Sequence, residues 1–379
     1  MTILRAVGLM SGTSMDGIDL AMLRTDGLDF IETGVSAFIP YEAAFRRTLE
    51  KSLETAKAIV ERGDRPDGLA ALENEITLRH ARAVAEFLAG PAGASGAPDV
   101  IGFHGQTVLH RPAKGVTVQL GDGALLAEQT GVPVVFDMRA NDMACGGQGA
   151  PLVPAYHAAL ARSLPAPFGG SYPVVYVNVG GISNITCVPA EGDPVAFDTG
   201  PGNTLIDQWV SREGGVPFDA GGAIASEGGV NAQVVLRYLD NPFFAKAGPK
   251  SLDRNDFTLE LAEGMELSDG ARTLAAVSAE AILKSVAHLP ERPKLWVVCG
   301  GGRKNPHIVG DLRAGAAESG AEVIVAEDAG LNGDATEAEA WAYLAVRSIK
   351  GLPLTFPGTT GCRQPATGGV LARPTLGAR

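Results

Sequence analysis

An apolar run at 3–10, a stretch of Gly, Ser, Thr and Asp at 11–17 and a second apolar run at 18–23 open the chain. Two strands joined by a turn fit this pattern. It returns at Val174-Val-Tyr-Val-Asn-Val179, Gly180-Gly-Ile-Ser-Asn184 and Ile185-Thr-Cys-Val188. After the first hairpin, 30–40 reads as a third strand, and 41–60 and 69–88 have the three- and four-residue apolar spacing of helices. A short buried strand at 100–103 delivers His104-Gly-Gln-Thr107 at its carboxyl end, where open α/β sheets place their ligands. Strands at 116–120 and 132–136 flank a helix that ends at 129, and the second strand leads into Asp137-Met-Arg139-Ala-Asn-Asp142. Residues 143–152 are too Gly-rich for a helix and too polar for a core strand. They read as a binding loop or a spacer turn.

In the second half, a strand at 195–197 runs into Asp198-Thr-Gly-Pro-Gly-Asn203 and a helix at 204–209. A loop-rich segment at 214–229 and a long helix at 268–288 follow. A strand at 295–299 enters Gly300-Gly-Gly302, then come a helix at 306–319, a strand at 323–326 and a last helix at 337–349. The Pro/Gly-rich stretch 165–173 is the natural linker. The expected organisation is an α/β chain of two similar lobes, 1–165 and 174–352, with a cleft between them and a surface arm at 353–379.

The 379 residues are 45% hydrophobic, enough for two sizeable cores. A net charge of −12 without a basic stripe argues against a nucleic-acid partner. No apolar run approaches a membrane span. The N-terminus lacks the apolar core of a secretion signal. Cys145, Cys187, Cys299 and Cys362 are widely spaced, which argues against zinc clusters and disulfides and fits a cytoplasmic protein.

Walker-type phosphate loops and α/β-hydrolase nucleophile elbows are absent from the sequence. A nucleotide would therefore lie on the Gly-rich hairpin turns. The first turn can direct backbone N–H groups and the hydroxyls of Ser11, Thr13 and Ser14 at a phosphate. Asp16 would oppose a bare anion, so it makes sense beside a cation such as Mg²⁺. Gly180 and Gly181 could hold phosphate in the same way, and Gly300, Gly301 and Gly302 would let adenosine lie on bare backbone. These patterns also fit ordinary hairpins and close strand–helix packing.

Asp198, directly after an apolar strand and before a Gly/Pro turn, is the best general-base candidate, with a turn residue as the alternative. Arg139 is placed to pair with a substrate carboxylate. Asn141, Asp142 and Gln148 carry groups suited to sugar hydroxyls and an acetamido group, and Gln106 and Asn203 are further candidates. His104 could orient a sugar hydroxyl or be a buried structural histidine. Glu337 opens the last helix, where an acidic residue commonly serves the helix dipole.

As a set, Gly8-Leu-Met-Ser-Gly-Thr-Ser-Met-Asp-Gly17, Phe103-His-Gly-Gln-Thr107, Phe136-Asp-Met-Arg-Ala-Asn-Asp142, Gly146-Gly-Gln-Gly-Ala-Pro-Leu152, Asn178-Val-Gly-Gly-Ile-Ser-Asn184, Phe197-Asp-Thr-Gly-Pro-Gly-Asn203 and Cys299-Gly-Gly-Gly302 resemble the anhydro-N-acetylmuramic acid kinase family. The resemblance implies the actin-like, sugar kinase and Hsp70 type of fold, with ATP and Mg²⁺ between the lobes. It implies a homodimer that opens the ring of 1,6-anhydro-N-acetylmuramic acid and phosphorylates O6. It puts the ATP turn on Gly12, Thr13, Ser14, Met15, Asp16, Gly17, Ile18 and Asp19, and the catalytic aspartate on Asp198. The family's acidic residue that contacts the sugar falls on Glu337, which the resemblance makes the second catalytic residue, with Glu339 as the neighbouring alternative. An ordinary sugar kinase and a nucleotide-gated binding protein are the rival readings.

Overall fold

The computed structural model describes residues 2–12, 14–252 and 256–375. The chain divides into two compact units, Met1–Ser163 with Ala335–Arg379, and Leu164–Asp334.

In the first unit, β1 (Leu4–Ser11), β2 (Gly17–Thr25) and β3 (Ile31–Pro40) form an antiparallel meander. Helices α1 (Ala43–Ala56) and α2 (Leu69–Ala89) lead to β4 (Val100–Arg111), which lies parallel to β1. Next come β5 (Val116–Leu120), α3 (Gly123–Thr130), β6 (Val134–Phe136), α4 (Ala140–Ala144) and α5 (Pro154–Ser163). Asp122 starts α3 by accepting from the backbone N–H groups of Ala124 and Leu125. Val7, Leu9, Ile18 and Leu20 bury one sheet face against Val84 and Phe87 of α2 and Leu126 of α3.

The second unit opens with the antiparallel meander β7 (Val174–Val179), β8 (Ile182–Val188) and β9 (Val195–Pro201). Helices α6 (Thr204–Gly214), α7 (Ala232–Leu239) and α8 (Leu267–Lys284) precede β10 (Leu295–Cys299), α9 (Pro306–Ala317) and β11 (Glu322–Val325). Val175, Val177 and Val298 pack with Trp209, Leu274, Val277, Ile308 and Leu312 in its core.

The chain then returns to the first unit with α10 (Thr336–Ile349), α11 (Pro357–Thr360) and β12 (Val370–Ala372). The first sheet runs β12-β6-β4-β1-β2-β3, with β5 on β4, and the second runs β11-β10-β7-β8-β9. Each therefore sets two or more parallel strands beside a three-strand antiparallel meander. This repeats the duplication seen in the hydrophobic pattern.

Three expectations need correcting. Chain order puts the last helix in the second lobe, but α10 packs on β1 and β4 of the first. Gly8 and Gly102 make that possible: a Cβ on them would sit 1.8 Å from the Ala338 carbonyl oxygen and 2.0 Å from that of Trp341. Residues 353–375 of the expected arm belong to the first unit, because β12 pairs with β6 and Ala366 bridges Thr355; 376–379 lie outside the described residues. Strand β4 does not end at Phe103. Gly105, at φ +72°, absorbs an irregularity, and the strand continues into its hairpin with β5. No helix among the described residues is long and apolar enough to cross a membrane.

Candidate active site

The first turn joins β1 to β2. Ser11 is buried and donates its hydroxyl to Gln106 Oε1 at 2.7 Å, while Gln106 Nε2 donates to the Gly12 carbonyl at 3.1 Å. Gln106, expected at the sugar, is thus a fully buried strut that ties β4 to the turn. Gly12 is open on its outer side: among the described residues an added Cβ would meet only Ser14, at 3.5 Å. Met15, at φ +54°, and Ile18 turn their side chains into the core, so only their backbone could serve a ligand. Gly17 is needed for packing, since a Cβ would lie 2.5 Å from the Ile39 carbonyl oxygen. Asp19 lies on β2 opposite Met10, and Thr13 is outside the described residues.

Ser14 donates to Asp16 Oδ1 at 2.7 Å, and both side chains are exposed. Asp16 keeps acceptor capacity on its second oxygen. A single accessible carboxylate beside a Gly-rich turn suits Mg²⁺, which commonly takes one or two carboxylates and fills its remaining positions with phosphate and water oxygens. The described residues contain no group of three or more His, Cys, Asp or Glu arranged to hold a metal by themselves.

Arg139 precedes α4. Its Nη1 donates to the Gly149 carbonyl at 2.8 Å and its Nη2 to His104 Nε2 at 3.0 Å. Because a guanidinium only donates, His104 Nε2 must accept, and the imidazole is neutral. Burial, helped by the Arg139 charge, holds the His104 pKa well below its ordinary value. Burial also lowers Arg139 to about 10, against the pull of Glu337 and Asp142. Arg139 Nε is buried with no hydrogen-bond partner among the described residues. A buried donor left open in this way is costly unless a ligand accepts from it.

Asp142 is not available to a sugar. It is 1% exposed and accepts from Thr355 at 2.5 Å, Thr360 at 2.6 Å and the Gly149 N–H at 2.7 Å. It fastens the 143–152 segment to the C-terminal stretch and so sets the Gly149 carbonyl that receives Arg139. Asn141 is exposed and donates to the Thr367 carbonyl at 2.7 Å. Gln148 is half-buried, and its backbone N–H is held by the Thr360 carbonyl.

Glu337 and Glu339 start α10 but face apart. Glu339 is 3% exposed and accepts from the Tyr156 hydroxyl at 2.9 Å; burial lifts its pKa to about 7. Glu337 is solvent-accessible and interacts with the Arg139 charge. Crowding by protein raises its pKa, with Arg139 opposing. Glu337 is therefore the member of the pair that a ligand can reach. Trp341, one turn along α10, stacks under both His104 and Arg139, with a ring-centroid distance of 4.7 Å to His104. The sequence reading did not single it out, although its i+4 spacing from Glu337 puts both on one helix face.

In the second unit, Gly180 and Gly181 form the β7–β8 turn. Their carbonyls receive the backbone N–H groups of Asn203, Gly202 and Thr204. Asn203 also donates its side-chain amide to the Val179 carbonyl at 3.1 Å, which makes it a brace for this turn. At the end of β10, Gly300 has φ +72° and would place a Cβ 2.2 Å from Asn178 Oδ1. Gly302 is packed on Val179, whereas Gly301 is exposed with room for a Cβ. Arg303 holds the turn by donating to the Gly300 carbonyl, Glu327 and Asp334.

Asp198 lies on β9. Its Oδ2 accepts from the Leu252 N–H at 2.8 Å, and Oδ1 has no hydrogen bond among the described residues. Burial lifts this carboxyl to about 6, with the Leu252 N–H pulling the other way. A half-buried carboxylate with one free oxygen and a pKa close to neutrality is suited to taking a proton.

The family profile described as anhydro-N-acetylmuramic acid kinase matches residues 4–374. The chain is 57% identical to the anhydro-N-acetylmuramic acid kinase of Agrobacterium fabrum over 368 residues, covering 97% of this chain and 98% of that one. It is 55% identical to the protein of the same name from Rhizobium johnstonii over 369 residues, covering 97% and 98%. Among solved structures, component A of (R)-2-hydroxyglutaryl-CoA dehydratase from Acidaminococcus fermentans aligns at 12% identity and TM-score 0.47, covering 92% of this chain and 99% of that one. A ROK hexokinase from Thermus thermophilus aligns at 16% identity and TM-score 0.42, covering 92% and 100%. Matches this loose bear on no residue of the site.

Proposed function

The chain belongs to the anhydro-N-acetylmuramic acid kinase family, and from that premise we propose that it opens the ring of 1,6-anhydro-N-acetylmuramic acid with water and transfers the γ-phosphoryl group of ATP to O6. Membership makes it a phosphotransferase of peptidoglycan recycling with the actin-like, sugar kinase and Hsp70 type of fold. The observation that carries the finer reading is Asp198, held through one oxygen, without a hydrogen bond to the other among the described residues, and with a raised pKa.

In this reading Asp198 takes a proton from water as the water oxygen bonds to C1. The C1–O6 bond breaks, and its electron pair goes to O6. O6 then bonds to the γ-phosphorus as the bond to the bridging oxygen of ADP breaks. O6 is the leaving group of one step and the nucleophile of the next, so no separate acid is needed. Attack by water without a covalent intermediate inverts C1. Phosphoryl transfer is then a matter of alignment and charge neutralisation.

The turn from Gly12 to Asp19 and the turn at Gly180 and Gly181 serve the phosphates, and Gly300 to Gly302 serve the adenosine. Asp16 would hold Mg²⁺, which when bound neutralises charge on the transferring phosphoryl group. Arg139 offers its free Nε–H to the lactyl carboxylate, and Glu337 accepts from a sugar hydroxyl. A cytoplasmic homodimer is part of the same proposal.

ADP release coupled to a spectrophotometric readout tests this. Anhydro-N-acetylmuramic acid should drive it and free N-acetylglucosamine should not; the reverse preference would mean an ordinary sugar kinase. Arg139→Ala should raise KM for the muramic substrate roughly tenfold or more, the size of one lost hydrogen bond to a charged group. An anhydro-sugar lacking the lactyl carboxylate should be much less affected. Equal losses on both sugars would remove Arg139 from this role.

A further inference from the structure

We infer that Trp341 is a positioning residue that fixes the Arg139 guanidinium for an acidic sugar, and so sets the preference for a substrate carboxylate. This rests on the reading of Arg139 as the carboxylate-binding group.

The guanidinium is restrained by three different contacts. Its Nη1 is spent on the Gly149 carbonyl and its Nη2 on His104. Its carbon lies 5.3 Å from the centroid of the Trp341 ring, within the reach of a cation–π contact. The same ring supports His104, at 4.7 Å between centroids and a 45° tilt. Trp341 thus holds Arg139 directly and also holds the imidazole that accepts from Arg139. The group left over is Nε–H, buried without a partner among the described residues.

The indole is itself fixed. Trp341 is 2% exposed, and its Nε1–H points at Sδ of Met10, 3.1 Å away, the residue of β1 just before the Ser11–Gly12 corner. Its backbone carbonyl lies against Gly102, where no side chain could fit. Glu337, one turn earlier on α10, exerts its charge on the same guanidinium. A flexible cation would bind anions with a loss of side-chain freedom; a guanidinium already set in place loses little. The aromatic face is also neutral, so it orients Arg139 without consuming the charge that a carboxylate needs. A second carboxylate in that place would consume it.

Site-specific replacement of Trp341 by mono-, di- and trifluorinated tryptophans keeps the shape of the ring while weakening its negative face. KM for anhydro-N-acetylmuramic acid should rise stepwise, by roughly 3- to 30-fold across the series, the range expected for a desolvated cation–π contact. KM for the carboxylate-free anhydro-sugar, KM for ATP and kcat should stay within about twofold of wild type by the same reasoning. In an Arg139→Ala background the series should be flat. Trp341→Met, which fills space without a π face, should lose the discrimination between the two sugars, and Trp341→Phe should keep most of it.

A flat series with Arg139 present, or equal rises for both sugars, would overturn the inference. If the unmodified enzyme turned over neither sugar, the proposed reaction would be wrong instead, so the two failures are distinguishable.

Discussion

Asp198→Asn is expected to lower kcat by roughly 10²–10⁴-fold, the contribution of a positioned general base, with ATP binding kept. The amide retains the shape of the side chain and can still accept from the Leu252 N–H, but it cannot take a proton. The pH dependence follows from the same group. Burial raises its pKa to about 6, so the active, ionised form is lost as pH falls through that value, and kcat/KM should drop about tenfold per pH unit below it. Asp198→Asn should abolish that limb.

The sign for stability is opposite to that of a salt-bridged carboxylate. The folded state holds this proton more tightly than the unfolded chain, so stability falls as pH rises from the unfolded pKa to about 6 and stays lower above it. At neutral pH the Asn variant should therefore melt no lower than wild type. A loss of rate with an unchanged or raised Tm identifies a chemical role. Near-normal turnover would remove Asp198 from the mechanism.

Gly12→Val is the second large effect. Among the described residues a Cβ at Gly12 meets Ser14 alone, its Oγ at 3.5 Å and its N at 4.0 Å, so the hairpin can accept it. The branched side chain then occupies the approach of a phosphate to the backbone N–H groups. Losing two hydrogen bonds to charged phosphate should weaken ATP by about 100-fold or more. Calorimetric titration with ATP, beside an unchanged melting curve, would show this. An unaltered titration would mean that the turn is only a hairpin. Gly300→Val would be a poor substitute, because a Cβ there collides with Asn178 and the residue has a positive φ.

Much of this site lies in local sequence. Both hairpin turns stand between apolar runs, and Asp198 follows an apolar strand into a Gly/Pro turn. Such features need only neighbouring residues to be read. What was hidden depends on contacts between distant segments. Gln106 and Asn203 have the chemistry of sugar ligands, but their amides brace the Gly12 and Gly180 turns across strands. Asp142 has the chemistry of a sugar contact, but two threonines more than 200 positions later bury it.

Glu337 and Glu339, two residues apart, had to fall on opposite faces of a helix; only packing against Tyr156 shows which one is inside. The position of α10 was concealed by chain order, although Gly8 and Gly102 in apolar strands and the Ala-rich helix were signs of close strand–helix packing. Gly105 looks like a strand terminator, and a bulge carries the strand past it instead.

The most direct measurement of the proposed reaction is the fate of solvent oxygen. Turnover in H₂¹⁸O, read by mass spectrometry of early product before anomeric exchange, should place one label on the C1 hydroxyl of N-acetylmuramic acid 6-phosphate and none on the transferred phosphoryl group. The first-formed anomer should be inverted at C1. Label in the phosphate ester would mean that water attacked phosphorus, and would contradict a ring opening coupled to transfer onto O6.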